Sequence, residues 1–280
     1  MVRAMGILLV VLSGTVVLAT PENSHHLRFQ HVGPALPEHW QGKADGALAA
    51  LYVGKGTWST GKEHLKLFFQ SQGISYRSVT AEQVREGAVG VNYDLLVVPG
   101  GASWDYLAEL RSLGAEKILD FVRNGGGYVG ICAGAFYATS HRIGGKATGP
   151  YGIGLLTGAA YDGTAMETAP FVEGMMDFDS AFHFLMQGLQ SVFRIVLFGG
   201  PSFRYDEIEE AAKGVQAMAY FQQIDEPAMV TLHYGEGRVF LSGPHLEIEE
   251  YLTNWGKEYA DPESDWPILE RAVQFVRRSR

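Results

Sequence analysis

Cysteine is almost missing from this chain. There is one, Cys132, so no disulfide can close within the chain, and a C-x-x-C metal knuckle or dithiol redox pair is excluded. An unpaired cysteine leaves two roles, a buried and inert small apolar residue or a reactive thiol. Positive charge is also short: 22 Lys and Arg stand against 31 Asp and Glu, a net charge of -9. That balance argues against a nucleic-acid partner, which needs a clustered basic face. Charged residues make up only 19% and apolar ones 46%, which excludes a disordered chain and suits a packed globular domain. No apolar run reaches the roughly 20 residues of a membrane-spanning helix. No His, Asp or Glu set has metal-ligand spacing, so neither a metal nor a cofactor is expected. The Gly54-Lys55-Gly56-Thr57 stretch lacks the G-x-x-x-x-G-K-[ST] frame, which excludes nucleotide binding there.

What is present starts with a targeting pattern. Arg3 precedes a nearly all-apolar segment, Gly6 to Leu18, and Val17-Leu18-Ala19 matches a signal-peptidase site. Residues 1–19 are therefore expected to be a signal peptide cut before Thr20. The mature protein is then exported, periplasmic or extracellular, with no stable membrane span; uncut, the same segment would tether the chain to a membrane. Residues 20–46 are polar and carry Pro21, Pro34 and Pro37, which predicts a linker or extended arm. A single domain is expected over 47–280.

Within that domain short apolar runs alternate with helical patterns. Strands are predicted at Ala47–Val53, Ile74–Val79, Tyr93–Val98 and Tyr128–Ile131, and helices at Glu63–Gln72, Ala81–Glu86 (capped by Thr80) and Leu113–Val122. Such alternation predicts an α/β fold with a parallel sheet and helices on both faces. The second half is richer in strand signals: Gly152–Tyr161, Phe193–Phe198, Val215–Phe221, Ala228–His233 and Arg238–Leu241. The last two form a hairpin around Tyr234-Gly235-Glu236-Gly237, and a final helix is predicted near Trp266–Arg278.

Chemistry concentrates where strands end. Gly130-Ile131-Cys132-Ala133-Gly134 follows a buried strand and precedes a helix. A nucleophile elbow needs small neighbours there, because its backbone is strained and crowded. The elbow leaves the side chain at the carboxyl edge of the sheet, where open α/β folds bind ligands. Pro99-Gly100-Gly101 ends the preceding strand. The amides of Gly100 or Gly101 with that of Ala133, and Gly134 beside it, are candidates for an oxyanion hole and substrate contact. Gly243-Pro244-His245 ends the last strand. Glu247 lies two residues on, where an extended segment turns it to the same side. A thiol nucleophile needs a His base, and the base needs a carboxylate to orient it. Ser103, Trp104 and Asp105 after the glycine loop are weaker candidates, as are Lys55, Thr57 and Trp58 after the first strand. Glu249 and Glu250 read as a solvated helix start.

Three stretches carry a resemblance: Leu51-Tyr52-Val53-Gly54-Lys55-Gly56-Thr57, Leu96-Val97-Val98-Pro99-Gly100-Gly101-Ala102, and the run from Phe121 to Tyr137. They resemble class I glutamine amidotransferase-like proteins and, among these, the biotin-protein ligase N-terminal domain family. The resemblance implies a flavodoxin-like open, mostly parallel sheet with an added β-rich segment. It also implies a Cys–His–Glu triad in which Cys132 is the nucleophile, His245 the base and Glu247 the orienting carboxylate. Phe136 stands where amidotransferase elbows of the form G-x-C-x-G-x-Q carry Gln, a departure that bears on the substrate. The Gly-rich biotin-binding signature is missing, so biotin transfer is not expected. Three readings stay open: a thiol hydrolase acting on an amide, peptide or related acyl bond; a small-molecule-binding protein that keeps the cleft without turnover; and an envelope interaction protein with an inert Cys132. A small molecule or peptide is the expected partner, and a homodimer is left open.

Overall fold

In a computed structural model of the chain the described residues are 9–12, 15–18 and 48–277, apart from 91, 144–148, 162–172, 182, 223, 225, 254, 257, 258, 260 and 262. The cleavage point before Thr20 and the 20–46 arm lie outside them. Two short strands near the amino terminus, β1 (Leu9–Leu12) and β2 (Thr15–Leu18), pair antiparallel.

The domain opens with β3 (Leu48–Tyr52), then α1 (Ser59–Ser71), β4 (Ser75–Val79), α2 (Ala81–Arg85), β5 (Leu95–Val98), α3 (Ser103–Arg123) and β6 (Gly127–Ile131). It continues through α4 (Ala133–Ala138), β7 (Thr139–Ile143), β8 (Gly149–Pro150), β9 (Leu156–Tyr161), β10 (Glu173–Ser180), β11 (Val192–Phe198) and β12 (Ser202–Phe203). It closes with α5 (Glu207–Lys213), β13 (Gln216–Phe221), β14 (Pro227–Tyr234), β15 (Gly237–Ser242) and α6 (Trp266–Val276).

One nine-stranded sheet has the order β11-β10-β13-β14-β15-β6-β5-β3-β4. From β15 to β4 every neighbouring pair is parallel, and from β11 to β15 every pair is antiparallel. Whereas the edge strand β4, Ser-Tyr-Arg-Ser-Val, is mostly exposed, the inner parallel strands β3 and β5 are apolar throughout because both their faces are covered. Alternate residues of β3 show this. Ala49 and Leu51 pack in one core with Leu65, Phe68 and Phe69 of α1 and Ile268 and Leu269 of α6. Ala50 and Tyr52 pack in the other with Val84 of α2 and Tyr106 and Leu110 of α3. Each such fully buried large side chain stabilises the fold by roughly 1.5–3 kcal/mol before entropy. The fold is therefore the expected open α/β layer, and its parallel half reads β4-β3-β5-β6-β15, the flavodoxin-like order. A second, four-stranded sheet, β12-β9-β7-β8, is part of the β-rich addition.

Some elements differ from the sequence reading. The helix expected at Leu113 begins at Ser103 and is broken at Arg111, whose φ is 56°. The strand expected from Gly152 begins at Leu156. Strands β7, β8, β10 and β12 and helix α5 had no clear signal. In β10 acidic residues interrupt the apolar positions, and the strand is held by partners on both sides, β11 and β13.

Candidate active site at the carboxyl edge of the sheet

Reversal of strand order between β3 and β5 opens a crevice at the carboxyl ends of the strands. The loops after β3 and β5 join there. The Trp58 amide donates to the Gly100 carbonyl at 2.9 Å and the Ala102 amide to the Gly56 carbonyl at 2.8 Å, around an isolated antiparallel bridge between Thr57 and Gly101. In a bridge of this kind the paired residues' own N–H and C=O groups point away from the partner strand. The Gly101 amide is thus left free of the loop it crosses.

Cys132 links β6 to α4 with φ 50° and ψ −106°. A non-glycine residue held there stores about 1–3 kcal/mol of strain, which its surroundings must over-determine. They do so on three sides. The Cys132 amide donates to the Ser242 carbonyl at the end of β15 at 2.8 Å, and its carbonyl accepts from the Ala135 and Phe136 amides at 3.0 Å each. Behind the turn, a Cβ on Gly134 would stand 2.0 Å from the Val98 carbonyl oxygen, so only glycine fits. The Tyr128 hydroxyl donates to the Gly134 carbonyl at 2.8 Å. Ala133 and Gly134 are the first residues of α4, so their amides lack an acceptor inside the helix.

His245 follows β15, the parallel neighbour of β6, and its amide is fixed by the Val196 carbonyl at 2.9 Å. Its Nδ1 donates to Oε1 of Glu247 at 2.8 Å, and both side chains are buried, at 1% and 0% exposure. That bond fixes the tautomer and leaves Nε2 as the working nitrogen. Nε2 is buried without an aligned hydrogen-bond partner, as is the second oxygen of Glu247. Burial works against the charged ring. The Glu247 carboxylate and the Cys132 sulfur outweigh it and push the imidazole up to about 10. The Cys132 thiol is 5% exposed and donates to the Phe198 carbonyl at 3.6 Å. Gly100 separates the two side chains: a Cβ there would meet His245 Cε1 at 2.4 Å and Cys132 Cβ at 3.3 Å. The structure thus brings together Cys132, His245, Glu247, Gly100, Gly101, Ala133 and Gly134.

The other sequence candidates are placed differently. Lys55 pairs with Asp105 at 2.9 Å near the surface. Ser103 is buried and accepts from the Tyr151 hydroxyl. Trp104 is half exposed, against Tyr151 and Arg142. Glu249 and Glu250 are not solvated: they are 0% and 5% exposed and form an acidic group with Asp261 and Asp265. Ser264 Oγ donates to Glu249 at 2.6 Å, while one oxygen on each of Glu249, Glu250 and Asp265 has no partner. Burial, reinforced by the Asp261 and Glu249 charges, pushes Glu250 up to about 7. Burial with the Glu250 and Asp261 charges holds Asp265 well above the carboxylate range. His64 of α1 accepts from the Glu249 amide at 3.1 Å. Among the described residues no three His, Cys, Asp or Glu side chains are arranged to hold a metal ion, and no helix is long and apolar enough to cross a membrane.

A ring cluster at the site escaped the sequence reading. Trp58 packs edge-on against His245 at 5.0 Å and Phe198 at 5.3 Å and stacks on Trp255 at 5.8 Å. Phe198 and Trp255 both touch Tyr259. Only Trp58 carried a signal, by its place after the first strand.

Comparison with known proteins bears on the family and the fold. A family model described as "Biotin-protein ligase, N terminal" matches residues 50–271. An uncharacterized protein of Chlamydia muridarum is 33% identical over 166 residues, covering 55% of this chain and 60% of that protein. The biotin–protein ligase of Schizosaccharomyces pombe is 28% identical over 170 residues, 55% of this chain and 25% of that protein. The match thus spans less than two thirds of either relative. Among solved structures, a glutamine amidotransferase superposes with a TM-score of 0.55 at 21% identity, covering 82% of this chain and all of that one. PurLQS from Thermotoga maritima also gives 0.55, at 18% identity over 82% of this chain and 98% of that one. These two show the shared amidotransferase-like fold.

Proposed function

The chain belongs to the biotin-protein ligase N-terminal family, and from that premise we propose that it is a thiol hydrolase that cleaves an amide or related acyl bond through Cys132, His245 and Glu247. The observation that carries the proposal is one juxtaposition. A strained elbow thiol and a His–Glu pair with an unpartnered Nε2 meet over Gly100. A lone buried cysteine needs none of these.

In the proposed reaction the Cys132 thiol gives its proton to Nε2 of His245, and the sulfur attacks the substrate carbonyl carbon. Glu247 holds the ring in register and stabilises the imidazolium. The amides of Gly101 and Ala133 face the developing oxyanion. Collapse of the tetrahedral intermediate breaks the bond to the leaving group, which takes the proton from His245. Water, deprotonated by the same nitrogen, then attacks the thioester, releasing the acid and restoring the thiol. General acid–base participation of this kind contributes roughly 10²–10⁴-fold.

The test is acyl trapping. The full chain is incubated with a panel of amides, esters and thioesters, quenched in acid and mapped by mass spectrometry. An acyl adduct on Cys132, lost on His245→Ala, supports the proposal. Folded protein that forms no adduct with any of them contradicts it. The direction of the thiol toward the Phe198 carbonyl favours a second reading, a binding module without turnover, and that reading predicts tight ligand binding with no adduct.

A further inference from the structure

Phe198, Trp58, Trp255 and Tyr259 come from three separate segments: the end of β11, the loop after β3, and the chain beyond Glu247. They converge on the two groups that the proposed reaction uses. Phe198 offers its carbonyl to the thiol and its ring to His245 at 5.9 Å, and Trp58 lies against the same imidazole at 5.0 Å. The four rings are only partly buried, unlike the core rings Phe68 and Phe178, which are fully enclosed. They form the boundary between the Cys–His pair and solvent. Trp255 stacks at 20° on Trp58 and lies in the connection between a short 3-10 helix, Glu250–Leu252, and α6. Moving it aside bares the Trp58 face beside His245.

Among the described residues, charge is sparse at this boundary. The charged partner of the His245 ring is Glu247, already bonded to it. Lys55 and Asp105 face each other. Arg142 lies over Trp104, Phe136 and Tyr151, a different ring group. A charged substrate group placed against Trp58 would lose water without gaining a counter-ion among the described residues, whereas an apolar group gains by burial.

We propose that Trp58, Phe198, Trp255 and Tyr259 form the subsite for an uncharged apolar or aromatic group of the substrate, next to the bond that Cys132 attacks. The inference rests on the thiol-hydrolase reading and names its substrate class: an acyl compound or amide with an apolar or aromatic neighbour, rather than a free amino acid amide.

The test measures alkylation rates of Cys132 in the full chain with four haloacetyl reagents. They are iodoacetamide, N-benzyl iodoacetamide, iodoacetate and a trimethylammonium-bearing iodoacetamide. Each rate is divided by that of glutathione to remove intrinsic reactivity. An aromatic contact contributes ~0.5–1.5 kcal/mol, which converts to a preference of about two- to tenfold. The benzyl reagent is expected to show that preference over iodoacetamide, with the charged reagents below it. The preference should fall toward one in Trp255→Ala and be retained in Trp58→Phe, with thermal unfolding verifying that each variant folds. A normalised ratio of one in the wild type, or a preference for either charged reagent, overturns the subsite and leaves the reactive thiol standing. Failure of every reagent to label the folded protein, with full labelling after denaturation, overturns the thiol reading and the subsite with it.

Discussion

At the scale of single residues, the site depends on which side chain holds which proton. The Glu247 carboxylate is the largest influence raising His245, and it does so against burial. Glu247→Gln keeps the shape and removes the charge, so the midpoint of His245, followed by NMR, should drop well below about 10. Proposed turnover should fall by roughly 10²–10⁴-fold. The sign for stability follows from the raised value. The contribution of His245 is fully present below the ordinary 6.5 and is lost as pH rises through about 10. Gly100 offers a second residue-scale prediction. A methyl there would meet His245 Cε1 at 2.4 Å and Cys132 Cβ at 3.3 Å. Gly100→Ala should therefore push the ring aside and slow Cys132 alkylation. Overpacking of this kind costs about 1–3 kcal/mol, readable as a lower Tm.

At the scale of elements, the segment from Glu247 to Asp265 joins two functions. It begins with the carboxylate that orients His245, carries Trp255 and Tyr259 over the site, and anchors itself through buried acids. Those acids oppose high pH. Between the ordinary 4.5 and about 7, Glu250 stays protonated when folded and ionises when unfolded. The folded state binds more protons in that window, so stability falls as pH rises through it. Glu250→Gln should flatten that part of a Tm-against-pH curve. A fall of the same depth in the variant would contradict the assignment.

The same elements show what a sequence discloses. The turn at Cys132 was legible because its frame of small residues is local. The steric demand that fixes Gly134 comes from Val98, one strand away, and leaves the same glycine in the chain. The pairing of His245 with Glu247 was expected from an extended segment, but the chain turns there, with the Ile248 amide donating to the His245 carbonyl at 3.2 Å, and the turn brings the carboxylate to the ring. The burial of Glu249 and Glu250 was not legible. Two adjacent acids read as solvent-facing, whereas packing with residues distant in sequence, among them His64, Asp261, Ser264 and Asp265, buries them. The ring cluster was hidden for the same reason: Trp58 and Trp255 stack across 197 positions of sequence, and no local spacing records that.

At the scale of the whole molecule, the parallel half of the sheet positions chemistry and the antiparallel half holds it. The β15 strand belongs to both, pairing with β6 on one side and β14 on the other. It delivers His245 beside the elbow and receives the Cys132 amide through Ser242. The amino-terminal pattern adds a prediction at this scale. If residues 1–19 act as an export signal, amino-terminal sequencing of the mature protein will begin at Thr20, and a chain that retains Met1 would speak against cleavage.

The central claim is that Cys132 and His245 act as a pair. The most direct measurement is the rate of Cys132 alkylation by iodoacetamide across pH, in the wild type and in His245→Ala. Fast alkylation of the wild-type thiol, slowed sharply in the variant, is the predicted result. Slow alkylation, or a profile unchanged by removing His245, would contradict it.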